Sequence, residues 1–394
     1  MLKRHLMKII KYFKPLYIIY YWAGSLILNL IKFMVKPDDR LVLFISFGGK
    51  KFDDSPREIY DEMIKDNRFY NYEFVWAFHN PDDFTIPRGR KVRTDSFKYF
   101  ITALKAKCWI TNSRVERGLS FKGKNTFYFN TWHGTPIKKM GMDISNGNKS
   151  FGTKAKWNVD IMTSQSKYEA DIFSRVFNID REKFLVCGLP RNDSLAKATA
   201  ESKKKMMQKI GLPLDKKVIL YAPTFREYER DNQLNCVIAP PIDFDKWKEE
   251  ISSDYIVLLR AHYEVVEVLN VKANDGFVYD VSNYPVLNDL MVASDLLISD
   301  YSSIFFDYSI LDRPMFCYAY DYENYVDRRG LYFDIRESLP GGLINENELL
   351  GLIKDLPYEN VMKLVRDFRS LYVQSYGNGT KVSLDTIYKN INSE

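Results

Sequence analysis

The chain of 394 residues has little cysteine: Cys108, Cys187, Cys236 and Cys317 stand apart, with no CxxC spacing. That argues against a disulfide framework and a cysteine-based structural zinc site, and it fits reduced cysteines in a cytosolic setting. There is no convincing carboxylate cluster for a required metal, no internal repeat and no low-complexity tract. Basic residues form no sustained stripe interleaved with stacking aromatics, so nucleic-acid binding has little support. The formal charge of +6 is a mild excess, compatible with acidic substrates or an anionic surface. At 46% hydrophobic and 27% charged residues, the chain is neither disordered nor membrane-spanning throughout. Its length accommodates two sizeable domains.

Acidic residues are missing from the N-terminus. Lys3, Arg4, Lys8, Lys11 and Lys14 all precede Asp38, the first acid. Between them, Leu16 to Ile31 is almost wholly apolar or aromatic. The run is slightly short for a span of about 20 residues, and no small-residue cleavage site marks a secretory signal. Tyr17, Tyr20, Tyr21 and Trp22 suit a water–lipid interface. Residues 1–36 are therefore expected to form a monotopic helix on an anionic cytoplasmic leaflet. A true span and a helix packed on the protein itself are the alternatives.

From Pro37 the pattern alternates strand and helix, as in a doubly wound α/β domain. Strands are expected at Arg40–Ser46, Glu73–Ala77, Lys91–Thr94, Cys108–Asn112, Thr126–Phe129, Trp157–Thr163 and Phe184–Cys187. Gly48 and Gly49 with Lys50 and Lys51 form either an anion cradle or a plain glycine turn; they match neither GxGxxG nor a Walker loop. The stretch Phe129-Asn130-Thr131-Trp132-His133-Gly134-Thr135-Pro136 sits just past a strand end, where open α/β sheets collect ligands. Gly134 permits close backbone approach, and His133 can exchange a proton near neutral pH. The alternative is a turn histidine packed against Trp132. Gly188 to Asp193, with Arg191, either lines a cleft or forms a capped turn.

Gly211 is a natural helix C-cap and Leu212–Lys216 a plausible linker. Domains are thus expected at 37–211 and 212–394. In the second, the strand Lys217–Tyr221 leads to Thr224 and Arg226, candidate phosphate contacts. Ile256–Leu259 leads to Arg260 and His262; arginine offers a fixed fork of donors to phosphate oxygens. Further strands are expected at Phe277–Asp280, Leu296–Ser299 and Pro314–Tyr318. Ser302 and Ser303 stand at a helix start, where free amides hold phosphate, or where serine simply caps. Asp307, one turn later, either orients that turn or touches a ligand hydroxyl.

Four motifs in order carry a family resemblance: Asn130 to Lys138, Tyr221 to Arg226, Leu259 to His262, and Asp300 to Asp307. Together they resemble the CDP-glycerol glycerophosphotransferases, the teichoic acid primases and polymerases of Gram-positive bacteria. The resemblance runs from about Leu41 to Ile391 and includes Asp53-Asp54-Ser55-Pro56. Tyr376 to Gly379 resembles a weakened form of the family's final motif, with Asn378 at its usual acidic position; a structural role is expected there.

The resemblance implies a GT-B-like fold, with two Rossmann-like domains facing across a cleft. It implies a membrane-associated enzyme that transfers glycerol phosphate from CDP-glycerol, or ribitol phosphate from CDP-ribitol. The acceptor would be an undecaprenyl-diphosphate-linked disaccharide or a growing teichoic acid, with other teichoic acid biosynthetic proteins as partners. His133 matches the catalytic histidine; Arg260, His262, Ser302 and Ser303 match the donor-diphosphate region, joined by Thr224, Arg226 and Asp307. Gly134, Thr135, Lys138, Asp54, Ser55 and Arg191 are candidate substrate contacts. No metal site is expected, and Mg²⁺ carried by the nucleotide is compatible with the sequence. Priming of the lipid-linked disaccharide is favoured over chain extension, because the chain supplies only two domains and a short helix. A nucleotide-sugar glycosyltransferase and a non-catalytic membrane scaffold are the other readings.

Overall fold

The computed structural model describes residues 13–144, 157–224, 226, 240–261, 275–342 and 345–393. His262, Cys236, Lys3, Arg4, Lys8 and Lys11 lie outside the described residues. Two compact units are present. The first takes Met1–His133, Met140–Asp193 and Ser375–Glu394, and the second Gly134–Lys139 and Ser194–Gln374.

The first unit is built on strands β1 (Asp38–Ile45), β2 (Glu73–Phe78), β3 (Arg90–Arg93), β4 (Ala106–Thr111), β5 (Phe127–Asn130), β6 (Ile161–Ser164) and β7 (Phe184–Val186). They form one parallel sheet in the order β3-β2-β1-β4-β5-β6-β7. The strand order reverses direction between β1 and β4, which makes their carboxyl ends the switch point where doubly wound sheets bind ligands. Runs such as Leu41–Ile45 are wholly buried, as a sheet covered on both faces requires.

One expected strand is shorter than its apolar pattern. Trp157 to Asp160 lies outside β6. Trp157 is apolar for a different reason: its ring stacks on Phe177 at 4.3 Å and meets Trp132 edge-on at 5.5 Å.

The second unit carries β8 (Lys217–Ala222), β9 (Tyr255–Leu259), β10 (Val278–Asp280), β11 (Leu296–Ser299) and β12 (Met315–Cys317). They form a second parallel sheet, order β10-β9-β8-β11-β12, with its own switch point between β8 and β11. Cys108, Cys187 and Cys317 are free and buried among these elements.

The expected division at 211/212 needs correction. The units part between Asp193 and Ser194, and the chain from Ser375 onward returns to the first unit. Three contacts explain the return. Leu384, Ile387 and Ile391 of the helix Gly379–Ile391 join the core beneath β1, β2 and β4. The Asp193 carboxylate accepts from the amides of Gly379 and Thr380, both at 2.8 Å. A Cβ on Gly379 would meet the Pro190 nitrogen at 3.0 Å, so only glycine fits without displacement. Gly188 to Asp193 is therefore a capping and docking turn as well as the source of Arg191.

The N-terminal helix Lys14–Met34 is longer than the apolar run suggests, and Pro15–Met34 is long and apolar enough to cross a membrane. It is docked sideways on the first unit. The Tyr20 hydroxyl donates to the Arg117 carbonyl at 3.1 Å. Ser25 Oγ accepts from the Ser120 amide at 2.9 Å, and Asn29 Nδ2 donates to the Ser120 carbonyl at 2.7 Å. Gly24 lies where a Cβ would be 2.8 Å from Leu119. Ile19, Trp22, Leu26, Leu30 and Phe33, spaced three and four apart on one helical stripe, are exposed.

Candidate active site

His133 follows β5 and is positioned by the exit of β4. Its Nδ1 is 2.7 Å from the Asn112 carbonyl oxygen. A carbonyl only accepts, so Nδ1 carries the proton and Nε2 keeps its lone pair in the neutral ring. Asn112 is itself fixed, its side-chain oxygen accepting from the Phe47 amide at 2.7 Å. Trp132 stacks on the imidazole at 4.0 Å and Phe47 flanks it at 5.5 Å. Trp132 adopts φ +49° and is held there by the Asn130 side chain, which accepts its amide at 2.8 Å. A positive φ in a bulky residue is costly and here aims the histidine. The packing expected of a turn histidine is present, with the ring stacked on Trp132 just past the end of β5.

Burial pulls the His133 pKa below its ordinary value; the Asn112 bond and Asp54 oppose that, and Arg191 adds to it. The neutral, proton-accepting ring is the form this environment favours.

Asp54, Ser55 and Arg191, well separated in sequence, come together in this unit. Arg191 Nη1 pairs with Asp54 Oδ2 at 2.9 Å, and the Arg191 amide donates to Ser55 Oγ at 3.3 Å. Asp54 sits at φ +67° at the start of the helix Asp54–Met63. Ser55 is fully buried, so it acts as a support for Arg191 and not as a substrate contact. The anion-cradle reading of Gly48 and Gly49 is also corrected. The Gly48 amide is taken by Ser113 Oγ at 3.0 Å and the Gly49 amide by the Ser46 carbonyl at 2.8 Å.

In the second unit the switch point is built from Ala222–Thr224 and Ser299–Ser303. The Thr224 amide donates to Asp300 Oδ1 at 2.8 Å, linking the two strand exits. Thr224 Oγ1 is buried and has no partner among the described residues. Ser302 Oγ accepts from the Ile304 amide at 3.3 Å, a short-range cap. Ser303 is half-buried and lies behind Gly134, where a Cβ would approach its Oγ to 2.9 Å. Arg260, at the exit of β9, donates through Nη1 to the Tyr284 carbonyl at 2.8 Å.

Three expectations on this side change. Arg226 is not a phosphate contact: it is 1% exposed and its guanidinium is engaged by Asp300 and Asp321. Thr135 is buried at 1% exposure, which removes it from the substrate contacts. Asp307 is buried at 4% exposure on the helix Ile304–Ser309, which suits the orienting role and not contact with a ligand hydroxyl. Lys138 is half-buried, with its ammonium 5.7 Å from the Tyr325 ring. Asn112, Asp300, Tyr301 and Asp321 were missed as supports, because their partners lie far away in sequence. Among the described residues no three His, Cys, Asp or Glu side chains are grouped to hold a metal.

The model of the family CDP-glycerol:poly(glycerophosphate) glycerophosphotransferase matches residues 27–391. The chain belongs to this family. It is 34% identical over 381 residues to the teichoic acid glycerol-phosphate transferase of Staphylococcus aureus, covering 90% of this chain and 94% of that one. It is 35% identical over 383 residues to the teichoic acid poly(glycerol phosphate) polymerase of Staphylococcus epidermidis, covering 91% of this chain and 52% of that one. The chain thus spans about half the length of that polymerase. A solved structure of the wall teichoic acid polymerase TagF soaked with CDPG superposes with a TM-score of 0.83 at 33% identity, covering 93% of this chain and 92% of that one. Matched relatives include both glycerol-phosphate polymerases and primases.

Proposed function

We propose that this glycerophosphotransferase transfers glycerol phosphate from CDP-glycerol to a hydroxyl of a membrane lipid-linked teichoic acid precursor, releasing CMP. The observation that carries the reading is the His133 imidazole, tied through Nδ1 to Asn112 at a sheet's carboxyl edge and kept neutral by burial. The acceptor oxygen attacks the β-phosphorus of CDP-glycerol and the bond from that phosphorus to the CMP oxygen breaks. His133 Nε2 takes the hydroxyl proton as general base, an effect typically worth about 10²–10⁴-fold. Arg260, Ser302 and Ser303 bind the diphosphate and offset the charge that builds on the leaving group. His262, outside the described residues, belongs to the same donor group by the family resemblance.

The same reading makes the protein monotopic on the cytoplasmic face of the membrane. The middle of the helix Lys14–Met34 is hydrogen-bonded to Arg117 and Ser120 of the first unit, so lipid cannot surround it there. Its opposite apolar stripe is free to enter a leaflet.

Purified protein, supplied with CDP-glycerol or CDP-ribitol and a synthetic lipid-linked disaccharide with or without one glycerol phosphate, tests the reading by mass spectrometry. Addition of one unit from CDP-glycerol to the bare disaccharide supports priming. Reaction only on the already primed lipid points to chain extension. Preference for CDP-ribitol overturns the donor.

A further inference from the structure

We propose that Arg226 is a positioning residue whose buried ion cluster sets the Tyr301–Ser302–Ser303 turn, and through it the binding of the donor diphosphate. The proposal rests on the donor reading above. Arg226 is 1% exposed. A guanidinium that deep is tolerated only when it is paired and hydrogen-bonded, and here each of its three nitrogens has an oxygen partner. Nε and Nη2 bind Asp321 Oδ2 and Oδ1 at 2.7 and 2.8 Å, the two-pronged geometry that suits a carboxylate. Nη1 lies 2.9 Å from Asp300 Oδ2 and donates to the Thr224 carbonyl at 2.6 Å. Tyr301, Tyr320 and Tyr325 enclose the cation with ring centres 4.9, 5.2 and 5.1 Å away.

Both carboxylates pass this order on to the turn. Asp300 Oδ1 accepts from the Tyr301 amide at 2.7 Å, and Asp321 Oδ1 accepts from the Tyr301 hydroxyl at 3.0 Å. Tyr301 also stacks flat on Tyr325 at 3.6 Å. Its backbone, phenol and ring are therefore each anchored, and Ser302 and Ser303 follow directly. The cluster reaches a second segment as well: Lys138 lies over Tyr325, and the strip Ile137–Lys139 bonds to Gly330 and Tyr332 at 3.0 and 2.9 Å. Arg226, at 1% exposure, acts through these carboxylates and not by touching substrate. Without it, Asp300 and Asp321 would face each other without a cation, and Tyr301 would lose the geometry that both impose.

The test measures CDP-glycerol binding by calorimetry and both KM values for wild type, Arg226→Gln, Arg226→Lys and Tyr301→Phe. For Arg226→Gln, donor affinity is expected to fall roughly tenfold or more, with acceptor KM unchanged. Arg226→Lys recovers part of the loss. Tyr301→Phe keeps the ring stack and loses one hydroxyl bond, so donor affinity falls about three- to fivefold. A purely structural role would lower melting temperature and active fraction while leaving the donor Kd of folded protein intact. Should Arg226→Gln fail to fold, Tyr301→Phe decides. Wild-type donor affinity in the folded variants overturns the positioning role of Arg226 alone. Wild-type protein that binds no CDP-glycerol overturns the donor reading and that role together.

Discussion

The imidazole Nδ1 of His133 lies 2.7 Å from the carbonyl oxygen of Asn112. The bond fixes which nitrogen is basic and, with burial, which protonation state prevails. Because burial lowers the pKa, the neutral ring persists to a lower pH than in an ordinary histidine near 6.5. The acidic limb of kcat/KM is therefore expected below pH 6.5. Asp54 raises the His133 pKa and Arg191 lowers it. Asp54→Asn should move the limb to lower pH, and Arg191→Gln to higher pH. A pH–rate series on the two variants checks this; shifts in one common direction would contradict the assignment.

Asp193 holds the returning C-terminal helix through two bonds of 2.8 Å to Gly379 and Thr380. Those amides belong to a helix start, and loss of such a cap costs about 0.5–2 kcal/mol. Asp193→Ala should lower stability by that amount in urea unfolding. An unchanged midpoint would mean that the apolar face of Leu384 and Ile387 holds the helix unaided.

The N-terminal helix turns Trp22 and Leu26 outward at 68% and 62% exposure. Each such side chain contributes about 1.5–3 kcal/mol when removed from water. Replacing both with aspartate should weaken co-sedimentation with anionic vesicles by at least about tenfold, while solution folding is preserved. Equal binding by the variant would show that this stripe does not enter the bilayer.

Arg260→Ala and Ser303→Ala should both weaken CDP-glycerol binding, the arginine more, since charge-assisted bonds to phosphate exceed a neutral hydroxyl bond. Arg260 also anchors the Tyr284 carbonyl at 2.8 Å, so its loss loosens a loop as well. Calorimetric titration with CDP-glycerol and with CMP measures the difference. Equal affinity in wild type and Arg260→Ala would contradict the donor assignment.

The strands and their polar exits were legible because buried parallel strands read as continuous apolar runs, as in Arg40–Ser46 and Ile256–Leu259. The placement of His133 and Ser303 just past strand ends was legible for the same reason: each follows such a run closely. Arg226 was misread because an arginine at a strand exit looks alike whether it meets a ligand or a carboxylate, and Asp300 and Asp321 are remote in sequence. The first domain's end was misplaced at Gly211 because a helix C-cap looks like a boundary. The actual division depends on where the final helix docks, and the Asp193–Gly379 bond has no local signal.

The most direct measurement is CMP release from CDP-glycerol in the presence of the lipid-linked acceptor, comparing wild type with His133→Ala. Donor binding is measured on the same preparations. Wild type is expected to release CMP steadily, and the variant to lose at least about 10²-fold of that rate with CDP-glycerol affinity and folding retained. Near-normal CMP release by folded His133→Ala would show that this imidazole is not the base.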